Sequence, residues 1–362
     1  AGTHTITASG GTAANYAVNT ANGTLTVAQA ALTATADNKS KTYGAADPAL
    51  SYTVGGTLFY GDTAAVVSGV SLSTNTGEAA TAGTHTITAS GGTAANYAVS
   101  TANGTLTVAK AGLTVAADPK IKIYGDADPA LTYLASGFQY SDSVGTVLTG
   151  GLARAAGETV AGGPYSINVG TLAANGNYSV SYTPNTLSIT PATLTYLANS
   201  SSREYGDANP AFSGTVSGFK LGETLGTATT GTLSFTSATT PSSNVGSYAI
   251  NGGGLSANSG NYAFVQDPAN AAALTINPAT LMYLANAANR ERGDANPALS
   301  GTVTGFKLGE SMATATTGTL AFTSPAAQSS AEGQYAINGN GLAALNGNYT
   351  FAQAPSNTTA LT

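Results

Sequence analysis

The side chains able to do chemistry are few in this chain, and they fall on positions that recur. There are no cysteines and two histidines, His4 and His85. Without cysteine, disulfides, thiolate metal sites and a thiol nucleophile are all excluded. The two histidines occupy one position in two near-identical stretches, residues 1–30 and 82–111, which agree at 28 of 30 positions. Later stretches of the same kind carry Tyr165, Tyr248 and Tyr335 there. A position that takes a phenol in place of an imidazole reads as packing rather than acid–base catalysis or metal ligation. The chain has no Gly-x-Ser-x-Gly elbow, P-loop or paired-histidine motif, so it is not expected to be an enzyme.

Carboxylates offer one further chemistry. Asp126 and Asp128 stand two apart and Asp142 follows the next loop, an arrangement that could present oxygens to Ca²⁺. Calcium takes about six to eight oxygen ligands. The other copies thin that supply, with Ala45 replacing the first Asp, and Asn209 and Asn296 the second. No cofactor is therefore expected, and Asp126, Asp128 and Asp142 are the candidate ligands if Ca²⁺ binds. An intramolecular Lys–Asn crosslink would need a lysine at one fixed strand position. The only lysines of the later copies, Lys220 and Lys307, fall in a loop.

The same carboxylates belong to the string that organises the chain. Tyr124-Gly125-Asp126-Ala127-Asp128-Pro129 recurs as Tyr43-Gly44-Ala45-Ala46-Asp47-Pro48, as Tyr205-Gly206-Asp207-Ala208-Asn209-Pro210 and as Arg292-Gly293-Asp294-Ala295-Asn296-Pro297. Successive glycines are 81, 81 and 87 residues apart, the mark of a tandem repeat. In each string Gly permits positive φ, Asp can cap a turn, and Pro forces the residue before it into extended geometry. It reads as a strand-to-strand corner. Because the fourth copy carries Arg292, the Tyr position is expected at a rim with its hydroxyl near water. Lys41, Lys122, Arg203 and Arg290, two positions earlier, are expected in solvent beside it.

The repeat divides the chain into residues 1–30, the closing part of an upstream copy, then copies at 31–110, 111–191, 192–278 and 279–362, the last truncated in its final strand. The chain thus reads as a window on a longer array. No Ser-rich, Pro-rich or charged linker separates the copies, and Pro191 and Pro278 stiffen two joints. Copies joined so closely are expected to stack into an elongated rod.

Within the second copy, strands are predicted near 113–117, 121–124, 130–135, 146–152, 165–169, 177–182 and 186–189, with a helical turn as an alternative around 143–147. Alternation places Tyr165, Ile167 and Val169 on one face. Seven short strands divided by turn residues predict an all-β fold of tandem immunoglobulin-like β-sandwiches. A β-grasp copy is the alternative, distinguished by one long helix. Tyr16, Tyr97, Tyr178, Tyr262 and Tyr349 each follow Asn and open the next-to-last strand. There a ring can be buried and its hydroxyl tied to a nearby carbonyl. In the loop Gly137-Phe138-Gln139-Tyr140-Ser141-Asp142, repeated at Phe219-Lys220-Leu221 and Phe306-Lys307-Leu308, the Phe and the Tyr or Leu two positions after it are expected to point inward.

Charged residues make up 8% of the chain, against about 25% in an ordinary soluble domain. Its surface must be finished with Thr, Ser, Asn, Gly and Ala, as in an exported repeat protein. A net charge of −6 with no basic cluster excludes a nucleic-acid partner. No apolar run approaches the ~20 residues of a membrane span.

The order Tyr-Gly-Asp-Ala-Asp-Pro-Ala-Leu, then Gly-Phe with an acid after it, then Gly-x-Tyr-x-Ile and Asn-Tyr, resembles the MBG domain of the YGX type. That resemblance covers essentially the whole chain, and Arg292 departs from it. It implies a large bacterial surface or secreted protein, as in filamentous-haemagglutinin-like exoproteins of two-partner secretion, with no catalysis and no known ligand residues. The function expected is that of an extracellular spacer that projects an adhesive module from the cell or into a biofilm matrix. The alternative is that the repeats themselves bind mucin-type glycan, matrix polysaccharide or a host surface. In either case neighbouring repeats are partners of one another.

Overall fold

The computed structural model describes residues 1–77 and 79–362. They form two compact units, one of residues 1–121, 128–156 and 164–188, the other of residues 122–127, 157–163 and 189–362. The longest helical segments, Pro268–Ala272 and Pro355–Thr359, have five residues each. Strand accounts for 47% of the chain and helix for 9%, so among the described residues no copy has the long helix of a β-grasp fold. The chain is a tandem array of all-β repeats.

In the first unit, the first copy shows the plan. Strand Ala30–Ala36 is central, antiparallel to Tyr52–Gly56 and parallel to Tyr97–Ala102. The second strand, Lys39–Thr42, leaves this sheet and runs parallel to the last, Gly104–Ala109, pairing Lys39 with Leu106. Gly83–Thr93 then joins Gly104–Ala109 to Ser68–Ser73, antiparallel on both sides. Small β-compatible residues alternate along these strands, so one face of each is apolar. Leu32, Ala34, Ile87 and Leu106 are all fully buried.

In the second unit, the third copy repeats the plan with Ala192–Ala198 between Gly214–Ser217 and Tyr262–Gln266, and with Ser201–Glu204 parallel to Leu274–Asn277. Tyr196, Phe235, Ile250 and Leu274 fill the space between the sheets, and Phe264 stacks on Tyr196 at 5.3 Å. Residues 1–30 supply one hairpin, Gly2–Ile6 against Gly23–Val27, exposed throughout.

In the second copy the helical turn is present at Val144–Val147, closed by a capping box from Ser143 and Thr146, and the expected strand 146–152 is reduced to Leu148–Thr149. The strand predicted from 130 begins at Tyr133, because the Asp118 N–H binds the Thr132 carbonyl and holds the preceding residues in the corner. Strand Tyr165–Asn168 ends one residue early, which leaves Val169 exposed.

Leu194 is fully buried and Leu197, on the same strand, is 41% exposed. Leu194→Ala is expected to destabilise by about 2–5 kcal/mol, and Leu197→Ala by less than about 1 kcal/mol. Urea denaturation of the two variants checks this, and equal losses would contradict the assigned faces.

Candidate functional site

The recurrent strings meet where one copy adjoins the next. The Tyr-Gly string is a tight turn in which the Ala45 N–H binds the Thr42 carbonyl and the Asp126 N–H that of Ile123. Gly44, Gly125 and Gly206 take φ of 92°, 81° and 85° at the third position of this turn, as a type II turn requires. Each is pressed from outside as well. A Cβ on Gly125 or Gly206 would lie 2.4 Å from the Cβ of Lys220 or Lys307, and one on Gly44 would strike Gln139. Lys220, Lys307 and Gln139 each belong to the following copy's Gly-Phe loop, so the glycine serves the neighbour as well as the turn. The prolines that close the strings, Pro48, Pro129, Pro210 and Pro297, lie in irregular segments at or near the surface, and Gly293 has φ of 101°.

The Gly-Phe loop is bent by positive φ at Tyr140, Leu221 and Leu308, which turns these side chains outward. They are 49%, 66% and 48% exposed, so the inward anchoring expected of them does not occur. The bend instead returns the acid to its own loop, with the N–H of Asp142, Glu223 and Glu310 bound to the carbonyls of Gln139, Lys220 and Lys307.

Two phenols converge on each acid. From the same copy, Tyr178 donates to Asp142 at 2.6 Å, and Tyr262 and Tyr349 donate to Glu223 and Glu310 at 2.5 Å. These hydroxyls also accept the backbone N–H of Gln139, Lys220 and Lys307. From the preceding copy's string, Tyr43 donates to Asp142 at 3.1 Å, Tyr124 to Glu223 at 3.2 Å and Tyr205 to Glu310 at 3.0 Å. The paired rings meet edge to face, 5.3–5.4 Å apart. Tyr97 makes the same-copy half of the arrangement on Asp62 at 2.7 Å.

The tyrosine-corner expectation is thus corrected in its acceptor, since these hydroxyls reach a carboxylate rather than a carbonyl. The rim expectation is overturned too, because Tyr43, Tyr124 and Tyr205 are buried. Arg292 is exposed in the described residues. Lys41, Lys122 and Arg203 are buried rather than solvated. Lys41 pairs with Asp47 and Lys122 with Glu158, while Arg203 donates to Asn209 and to the Thr240 carbonyl.

A second contact set frames the phenols. The side-chain oxygens of Asn177, Asn261 and Asn348 accept the backbone N–H of Ala82, Val160 and Val245, and their main-chain carbonyls accept the N–H that opens their own copy's first strand. Sequence reasoning noticed Asn-Tyr but missed this clasp, whose signal is the invariance of Asn before each Tyr within the array.

The three candidate metal ligands go to different partners. Asp126 pairs with Lys220 at 2.9 Å, Asp128 with Arg154 at 2.5 Å, and Asp142 accepts the two phenols. Among the described residues no group of three or more His, Cys, Asp or Glu could hold a metal ion. His85 binds the Thr81 carbonyl through Nε2 at 2.8 Å.

Four segments, 32–107, 113–188, 194–272 and 281–359, match the MBG domain (YGX type). The chain belongs to that family. No curated protein and no solved structure matches it. In these MBG domains the family's Tyr-Gly string is the outgoing half of a joint, and the acid with its Asn-Tyr is the incoming half.

Burial, followed by the hydrogen bond to the acid, pushes Tyr178, Tyr262 and Tyr349 up to about 12 and raises Tyr43, Tyr124 and Tyr205 as well. An unfolded tyrosine ionises near ~10. Between the two values the unfolded chain binds fewer protons, so the stabilisation is complete below pH ~10 and is lost as pH rises toward ~12. Melting temperature measured against pH should fall in that window together with the delayed phenolate absorbance. Tyr205→Phe removes one hydrogen bond to a carboxylate and should cost about 1.5–3 kcal/mol. Tyr262→Phe removes such a bond and also orphans the Lys220 N–H, which should add about 1–3 kcal/mol. Denaturation that ranks the two variants in the opposite order would contradict these roles.

Proposed function

We propose that this chain is a spacer segment of a bacterial extracellular adhesin, setting the distance between the cell and an adhesive module. The carrying observation is the phenol–carboxylate–phenol joint, present three times with the same donors and acceptor. A function of length needs copies that adjoin in one defined way, and a joint rebuilt at each repeat supports that reading. The tandem MBG domains support a surface or secreted setting. No helix among the described residues is long and apolar enough to cross a membrane.

A second reading, in which the repeats hold glycan or matrix polysaccharide, draws on the outward-turned Tyr140, 49% exposed, and on Phe59 and Tyr60, 48% and 104% exposed. Exposed aromatic faces can stack on sugar rings. The Tyr60 and Tyr140 position carries Leu221 and Leu308 in later copies, and the Phe59 position carries Lys220 and Lys307, which favours the spacer.

Adhesion strength measured against repeat number separates the two. A spacer changes reach in steps and leaves affinity level. Binding by each repeat would multiply with copy number through effective concentration, by about 10²–10⁴ in avidity. A steep rise that survives removal of the terminal regions would overturn the spacer.

A further inference from the structure

The joint between the first and second copies differs from the other two in its loop. Where Lys220 and Lys307 pair with Asp126 and Asp207, it places Gln139 and Ala45, neither of which is charged. Where the others have Leu221 and Leu308, it has Tyr140, with the same left-handed backbone. Tyr140 is half exposed, and its ring meets that of Tyr43 edge to face at 5.6 Å. Tyr43 in turn meets Tyr178 at 5.4 Å and donates to Asp142. Three phenols thus run from solvent into the joint, the middle one from the first copy and the outer two from the second. In these two copies tyrosine is also the most readily oxidised side chain. The chain has no cysteine or tryptophan, and its two methionines, Met282 and Met312, lie in the fourth copy.

We propose that Tyr43 and Tyr140 are the site of an oxidative crosslink, a carbon–carbon bond between the ring positions next to their hydroxyls, which joins the first copy covalently to the second. The oxidant is hydrogen peroxide acting through a haem peroxidase, which takes single electrons from phenols at a protein surface. It removes an electron from the exposed Tyr140, whose phenol proton goes to water. Tyr43 refills Tyr140 by electron transfer across the ring contact, and its own proton passes along the existing hydrogen bond to Asp142. A second oxidising equivalent removes an electron from Tyr140 again, and the two ring radicals combine. The hydrogen at each bonded carbon then moves to oxygen, which restores both phenols, and Asp142 returns its proton to solvent. In sum the pair loses two hydrogens and one peroxide becomes two waters. Tyr140 rather than Tyr178 is the partner, because bonding requires one ring to leave the edge-to-face geometry. An exposed side chain reorients within picoseconds to nanoseconds. Tyr178 is buried, and Asp142 and the Gln139 N–H both hold its hydroxyl.

The test treats the full chain, at several dilutions, with a haem peroxidase and hydrogen peroxide, then digests it with trypsin and reads the peptides by mass spectrometry. The expected product joins residues 42–110 to residues 123–154, lighter than their sum by two hydrogens, with fragmentation placing the bond at Tyr43 and Tyr140. Its yield per chain should not depend on chain concentration. Tyr140→Phe, at an exposed position, should cut crosslinking at Tyr43 at least tenfold. Leu221→Tyr, with an unchanged melting curve, should add a second bond from that position to Tyr124, so the geometry is tested by gain as well as by loss. Absence of the Tyr43–Tyr140 bond, a yield that rises with chain concentration, or Tyr43 joined to Tyr178 with undiminished yield in the Tyr140→Phe chain would overturn the crosslink. So would a folded Leu221→Tyr chain that gains no bond to Tyr124.

Discussion

A carboxylate drawn half out of water must be met by donors, and from the second copy onward one of those donors comes from the copy before. Asp142, Glu223 and Glu310 each take one phenol from their own Asn-Tyr and one from the neighbouring Tyr-Gly. An unmet buried acceptor costs about 1–3 kcal/mol, and more when charged. The loop's positive φ, the ring-on-ring contact and the glycine of the turn are all conditions for bringing that second hydroxyl within reach.

The phenols do not act alone, and magnitudes rank what accompanies them. Tyr43 shares an apolar cluster with Leu113, Val115 and Tyr178, and Tyr205 shares one with Leu281, Ala315 and Tyr349, so hydrophobic packing continues from copy to copy within each compact unit. Fully burying a large apolar side chain contributes about 1.5–3 kcal/mol. The Asp126–Lys220 and Asp207–Lys307 pairs are more than a third exposed on every side chain and belong to the class worth about 0–1 kcal/mol. Consistently, the first joint does without such a pair, placing Ala45 and Gln139 at these positions, and retains both phenols.

The sequence carried the repeat, the all-β class, the helical turn at Val144–Val147 and the buried faces of the long strands, because periodicity and turn residues are local signals. The joint was not legible in the same way. Tyr43 looked like a rim residue because Arg292 replaces it once, and burial supplied by a neighbouring copy cannot be inferred from one position's tolerance. Lys41, Lys122 and Arg203 looked solvated because cations usually are, yet an acid or carbonyl some 36 residues further on accompanies each inside the fold. Tyr140 and Leu221 looked inward from their apolar character, and a left-handed backbone, rare for such residues, turned them out.

A motif read as punctuation can also be the footprint of a neighbour. A type II turn explains the glycine of Tyr-Gly but leaves the tyrosine arbitrary, since the position before that glycine accepts most residues. The joint explains both, because the phenol must reach the next acid while the glycine lets the next loop come within 2.4 Å of where a Cβ would stand. The spacing between string and acid supports this over a purely local role. From Tyr43 to Asp142 and from Tyr124 to Glu223 is 99 residues in both cases, longer than the 81-residue repeat, so the partner lies beyond the copy's own boundary. In the next pair, Tyr205 and Glu310, the separation grows to 105 residues as the repeat lengthens to 87, and the contact is kept at 3.0 Å. An insertion of six residues inside a copy leaves the joint intact, as expected if the two faces, rather than the chain between them, define how one repeat meets the next.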